Sequence, residues 1–287
     1  MIWIGLLSIL LALAILYWLF ILSEGVYLGQ KAVIALYDWG APSYDRIKQV
    51  QPHHDAQHLA GPLMAALLPK TSAPQHPAAP PLPKPRRSGV EYLRVGVPAP
   101  PKRDGVPVIL EVATGTGRLP LALLRQWDFH GRVVGLDLSR KMLSVARHRT
   151  AAQLHRVGLI REDALALPFP DGCFDAVTCI EALEFLPNPW AALREMARVL
   201  RPGGQLLISN RAGTDALFFP GHVCRTRDME DRLHALDLVD VNLRRWQVHY
   251  DLIEAKKPEQ EPGTAPPPIN MYGAAGHSTP VGAGWST

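Results

Sequence analysis

The stretch ILEVATGTGRLPLALL, residues 109–124, most constrains what this chain can fold into. It opens as an apolar run, turns through Gly115 and Gly117, and continues with helical spacing. Strand, glycine turn and helix in that order form the ligand-holding edge of α/β proteins. Downstream, further apolar runs alternate with helical patterns. Strands are expected at 108–112, 132–138, 158–163, 173–180 and 205–210, and helices at 118–127, 139–156, 189–200 and about 227–236. Such alternation implies a mainly parallel sheet covered on both faces. Two last strands, in VDVNLRRW and QVHYDLIEA, lie close enough to pair as an antiparallel hairpin at its edge.

The glycine turn excludes two common nucleotide sites. A dinucleotide fingerprint needs a third glycine at position 120, where this chain has Pro120; a Walker loop needs a Gly-Lys-Ser/Thr ending that is absent. Two carboxylates point elsewhere. Asp137 falls 20 residues after Gly117, at the end of the second strand. There it either caps the next helix or accepts both hydroxyls of a ribose, and Ser139 is the better cap. Asp163 ends the third strand, where it either starts a loop or takes a hydrogen bond from an adenine amino group.

The N-terminus carries a second constraint. Residues 2–22 contain no charge and one Ser and one Gly. At about 1.5 Å per residue they span roughly 30 Å, the thickness of a bilayer core. No basic region precedes the run and no A-x-A site follows it, which disfavours a cleaved signal peptide. Lys31, Arg46 and Lys48 follow the span and no Lys or Arg precedes it, so the rest of the chain is expected to face the cytoplasm. Residues 26–36 are expected to extend the helix or lie along the interface.

These features divide the chain into an anchor (1–23), a helical lead-in (24–68), a linker (69–106), an α/β domain (107–257) and a disordered tail (258–287). Residues 69–107 contain eleven prolines, which no helix or strand ladder tolerates; VEYLRVGV within them could form a short strand. A net charge of +4 with no long basic run leaves no footprint for nucleic acid. Cys173, Cys179 and Cys224 have neither CxxC nor zinc spacing, so no metal is expected and reduced thiols are.

Taken in order, ILEVATGTGRLPLAL, VVGLDLSRKMLSVAR, REDALALPFPDGCFDAVTCIEALEFLPNP, ALREMARVLRPGG and QLLISN resemble a class I S-adenosylmethionine-dependent methyltransferase, in particular the small-molecule, lipid and quinone methyltransferases. The resemblance covers about residues 107–256, and YDWGAPSYDRI resembles the lead-in helix of that group. It implies a Rossmann-like, seven-stranded, mostly parallel sheet with the final hairpin inserted antiparallel, and S-adenosyl-L-methionine as cofactor.

Carried over by position, Glu111 would orient the cofactor's amino group, and Ala113, Gly115 and Gly117 would line its methionine part. Asp137 would bind the ribose, Leu138 and Met142 would pack on adenine, Asp163 would meet the adenine amino group and Ala164 would offer its N–H. Ile180 and Glu181 would stand beside the transferable methyl. Ala113 departs from the usual glycine, which is tolerable if its backbone keeps an ordinary φ. A base is needed only if the acceptor loses a proton early; Glu184 and His222 are candidates, each with an ordinary structural role as its alternative. Phe218, Phe219 and Pro220 would wall an acceptor pocket or belong to the core, and Tyr37 and Tyr44 would close over the cofactor. The reading is a membrane-anchored enzyme acting on a small lipophilic acceptor. Its alternatives are a non-catalytic tethered scaffold and a protein methyltransferase.

Overall fold

The computed structural model describes residues 2–49, 51–67 and 106–259; most of the proline-rich linker, the VEYLRVGV segment and nearly all of the tail lie outside them. Helix α1 (Ile2–Tyr17) continues as a wider π turn through Trp18–Leu22. Trp3–Leu22 is long and apolar enough to cross a membrane, and none of it is buried against the domain. The helix does not extend further. The Ser23 hydroxyl donates to the carbonyls of Trp18 and Leu19, and Glu24 and Gly25 take left-handed backbones (φ 47° and 79°) that turn the chain.

Helix α2 (Gln30–Gly40) follows, then a 3-10 turn at Ala41–Ser43, the short α3 (Tyr44–Ile47) and α4 (Pro52–Asp55), a π turn at Ala56–Ala60 and α5 (Gly61–Leu67). Thus the expected single lead-in helix is broken. Pro42 lacks an N–H and clashes with the turn before it, so the helix cannot run straight through 37–47.

The remaining elements are β1 (Val108–Val112), α6 (Arg118–Leu124), β2 (Arg132–Asp137), α7 (Arg140–Arg149), β3 (Val157–Arg161), β4 (Phe174–Cys179), α8 (Pro189–Val199), β5 (Leu200–Arg211), α9 (Thr226–His234), β6 (Val239–Gln247) and β7 (Tyr250–Lys256). They build one seven-stranded sheet in the order β3-β2-β1-β4-β5-β7-β6. The pairs among β1–β5 are parallel, and β7 is antiparallel to both β5 and β6, as the resemblance implied. Helix α7 is shorter than expected because Thr150 leaves the helical region and caps it through the Ala146 carbonyl. Strand β5 is longer: Arg201–Gly204 remain in it as a bulge with Gly203 left-handed (φ 72°), and the register shifts between the β4 partners Phe174 and Ala176.

Alternation along β1 divides the core. Val108, Leu110 and Val112 face a cluster with Leu193 and Met196 of α8 and Met229 and Leu233 of α9. Ile109 faces Leu119 and Leu123 of α6, Leu143 of α7, and Leu59 and Leu63 of the N-terminal segment. Leu59 and Leu63 are buried, and each contributes on the order of 2 kcal/mol. The lead-in is therefore part of the layer that covers the sheet.

Candidate active site

An open cavity, about 1000 Å³ when the solvent at its mouth is counted, lies where β1, β2 and β4 end. Its floor is the turn after β1. Thr114 N–H donates to the Leu136 carbonyl and Gly117 N–H to the Thr114 carbonyl, which holds the turn against β2. Gly115 and Gly117 both have left-handed backbones (φ 53° and 74°). A Cβ on Gly115 would meet nothing within 4 Å, so this residue leaves open space in the cavity wall. A Cβ on Gly117 would press on Ala146 of α7 at 3.0 Å, so that glycine serves helix packing.

Ala113 does not keep the ordinary φ on which its tolerance rested. Its φ is +55°, a left-handed backbone that strains an L-residue by about 1–2 kcal/mol. It shares this with Glu181 (φ +52°) at the end of β4, and both line the cavity. The two strand ends thus hold tight turns where backbone approaches the cavity.

Asp137 joins β2 to the glycine turn. Its carboxylate accepts Gly115 N–H at 2.8 Å and Ser139 N–H at 2.8 Å. Ser139 is the cap of α7, accepting Met142 N–H at 3.1 Å. Burial pushes the Asp137 pKa up, against the backbone N–H groups that favour the anion. Glu111 is buried beneath the turn and accepts the Thr114 hydroxyl. Burial pushes its pKa up to about 8, with Thr114 and Arg118 opposing the rise.

Of the residues expected at the site, Glu111, Ala113, Gly115, Asp137, Leu138, Ala164 and Ile180 line the cavity. Gly117, Met142 and Asp163 stand behind the wall. Met142 is buried beneath it, and Asp163 accepts Gln30 Nε2 at 3.3 Å and Leu165 N–H at 2.9 Å, while its neighbour Glu162 faces the cavity. Tyr37 and Tyr44 close the far side, with Val33, Ile34 and Phe185. Burial, followed by Glu24, raises the Tyr37 pKa, so its hydroxyl stays protonated; it donates to Glu24 at 2.9 Å.

Glu184 and His222 do not line this cavity. Glu184 is buried one residue before Phe185, accepting Arg211 Nε at 2.8 Å and the Tyr250 hydroxyl at 2.5 Å, and its other oxygen has no hydrogen-bond partner. His222 borders a smaller pocket with Asn210 and Cys224, with the Tyr27 ring edge-on at 5.4 Å. Phe219 is fully buried under Arg211, whose guanidinium lies 4.3 Å from the ring centroid, so it belongs to the core. Among the described residues no His/Cys/Asp/Glu group could hold a metal ion.

Sequence reasoning missed the Arg118 hub. This first residue of α6 forks onto Asp55 at 2.7 and 2.6 Å and reaches Glu181 at 2.7 Å. A cation opposes the helix dipole at an N-terminus. An arginine directly after the glycine turn was thus a local signal that a carboxylate partner exists, though not which one.

Residues 110–208 match the family described as Methyltransferase domain. In sheet order, glycine turn and matched segment the domain is similar to class I S-adenosylmethionine-dependent methyltransferase domains. Within that class the segment is similar to demethylmenaquinone methyltransferases. That of Listeria monocytogenes serotype 4a is 46% identical over 99 residues, 34% of this chain and 42% of the relative; that of Thermus thermophilus is 45% identical over 100 residues, 35% and 45% respectively. The chain thus spans under half the length of the curated relatives it matches. A solved SAM dependent methyltransferase from Aquifex aeolicus is 20% identical, with a TM-score of 0.45 over 53% of this chain and 82% of that one.

Proposed function

We propose that the chain is a membrane-anchored methyltransferase that transfers the methyl group of S-adenosylmethionine to a small lipophilic acceptor of the quinone-precursor kind. The observation that carries this reading is the opening left by Gly115 beside the Asp137 carboxylate. The Asp137 oxygens accept the N–H groups of Gly115 and Ser139, and a carboxylate has further acceptor capacity for a ribose hydroxyl. Glu181 supplies a carboxylate and Glu111 an acceptor oxygen near the cofactor's ammonium, and Leu138, Ala164 and Ile180 supply apolar wall. The cofactor, when bound, supplies an electrophilic methyl on a sulfonium.

The work left to the protein is alignment and exclusion of water, and positioning is a large part of any such acceleration. Val33, Ile34, Tyr37, Tyr44 and Phe185 wall the acceptor side without a charged nucleophile. If the acceptor must lose a proton, Glu184 is the better placed of the two candidates. It adjoins Phe185 in sequence and has an unpartnered oxygen, whereas His222 borders another pocket. The similarity to demethylmenaquinone methyltransferases supports a quinone-like acceptor. The apolar span supports an acceptor in the bilayer, because tethering raises its effective concentration. Lys31, Arg46 and Lys48 after the span support a cytoplasmic domain.

The test is to incubate the full chain with membrane extract and a methyl donor carrying a radiolabelled methyl, then separate lipid, small-molecule and protein fractions. Label is expected in the lipid fraction. Label in protein would replace this reading with a protein methyltransferase. Cofactor binding without any labelled product would replace it with a tethered scaffold.

A further inference from the structure

The helices that close the cavity have a second face. On α2, Gln30, Val33, Ile34 and Tyr37 line the cavity, at the i, i+3, i+4, i+7 spacing of one stripe. Lys31, Ala35 and Trp39 lie opposite and are exposed, Trp39 by 81%. Ile47, at the end of α3, is 64% exposed, and Leu28, just before α2, is 43% exposed.

Charge is sorted across the same segment. Its carboxylates turn inward. Glu24 takes Tyr37 and Lys48, Asp38 takes the Ser139 hydroxyl and Lys141 N–H, and Asp45 takes Thr116 and Arg149. Lys31 and Arg46 turn outward. Because Asp38 meets the start of α7 and Asp45 its last turn, the segment runs along α7, whose exposed face adds Lys141 and Arg147.

We infer that this outer face is a docking surface for an anionic lipid bilayer, so that one helix separates the membrane surface from the methyl-transfer cavity. Indole and aliphatic side chains ringed by lysine and arginine match the interface between acyl chains and anionic headgroups. The position of the anchor also favours this occupant. Only residues 23–29 separate the apolar span from α2, and Trp18 at its end stacks on Tyr27 at 4.8 Å. Tyr27 in turn donates to the Pro220 carbonyl at 2.9 Å, which fixes the end of the span to the domain on this side. The inference rests on the membrane-anchored reading but not on catalysis.

The test uses the full chain with Cys173 and Cys224 replaced by Ser and a fluorescent label at Trp39→Cys. A second protein carries the label at Trp127→Cys; Trp127 is 90% exposed, after α6 has run back from the cavity end of the sheet. Both are reconstituted into phosphatidylcholine vesicles with and without phosphatidylglycerol, with a spin-labelled lipid as quencher. The label at 39 is expected to be quenched several-fold more strongly than that at 127. The difference should grow with phosphatidylglycerol and shrink in Lys31→Glu/Arg46→Glu/Lys141→Glu.

Vesicle flotation separates the failures. A chain that fails to float overturns the anchor as well. A chain that floats with equal, weak quenching at both positions overturns the docking surface alone. Shielding at 39 that is already complete in lipid-free detergent and varies with protein concentration overturns it in favour of a second copy of the chain.

Discussion

Two walls enclose one cavity, and they are held by different means. The wall from the β1, β2 and β4 ends is mostly backbone: a glycine turn, left-handed Ala113 and Glu181, and a carboxylate gripping the N–H groups of Gly115 and Ser139. The wall from residues 30–59 is held to the domain by side chains that reach far along the sequence. Asp55 meets Arg118 across 63 positions, Asp45 meets Thr116 across 71 and Gln30 meets Asp163 across 133. A backbone wall keeps its shape while the sheet stands. A wall held by ion pairs can be loosened one pair at a time, and the four outcomes below, the first three in decreasing order of effect, probe that difference.

Of the first three, Asp55→Ala should have the largest effect. It leaves Arg118, with 18% of its side chain exposed, half-paired, and breaking a buried pair costs about 3 kcal/mol. Because Arg118 keeps Glu181, the loss should appear in denaturant unfolding and in faster exchange of amides in α4 and α5, with β1–β4 protected. Equal exchange increases in the sheet would mean that the two walls are one unit.

On the backbone wall, Asp137→Ala should weaken S-adenosylmethionine binding by roughly thirtyfold, about 2 kcal/mol for hydrogen bonds to a charged group. Calorimetric titration measures it, and binding equal to the parent would remove Asp137 from the site. Ala113→Gly should raise the melting temperature. Relief of left-handed strain outweighs the greater freedom of glycine in the unfolded chain by about 0.5–1 kcal/mol. A lower melting temperature would show that the methyl group of Ala113 packs usefully.

The fourth outcome is a pH slope. Glu111 holds its proton in the folded chain to about 8, against an ordinary value of 4.5. The folded state therefore binds the proton more tightly than the unfolded chain does. The associated stability is complete below about 4.5, declines as pH rises toward 8, and is flat beyond. Thermal unfolding of the ligand-free chain across that range should show the decline, and Glu111→Gln should flatten it. An unchanged slope in that variant would place the titrating group elsewhere.

The legibility of the two walls in the sequence follows from their construction. The strand at Val108–Val112, the turn after it and Asp137 are neighbours along the chain or recur at β-α-β spacing, so local patterning locates them. Ser139 as the cap of α7 and Pro189 in the first turn of α8 were legible for the same reason. The far wall was legible only in part. Tyr37 and Tyr44 were expected over the cavity, but the break at Pro42, Gln30 and the Asp55–Arg118 fork were not. Nothing local tells an aspartate which of thirty cations it will meet.

By itself, then, the amino-acid order determined an apolar span, an alternating α/β domain and a carboxylate at the end of its second strand, because periodicity and turn chemistry are local. Only the tertiary structure decided that Ala113 stands in a left-handed backbone, that Glu184 lies behind Phe185 rather than in the cavity, and that α2 offers one face to the cavity and the other to its surroundings. Those outcomes depend on which distant surfaces meet, and that is decided by burial and charge pairing when the sheet, its helices and the N-terminal segment close together.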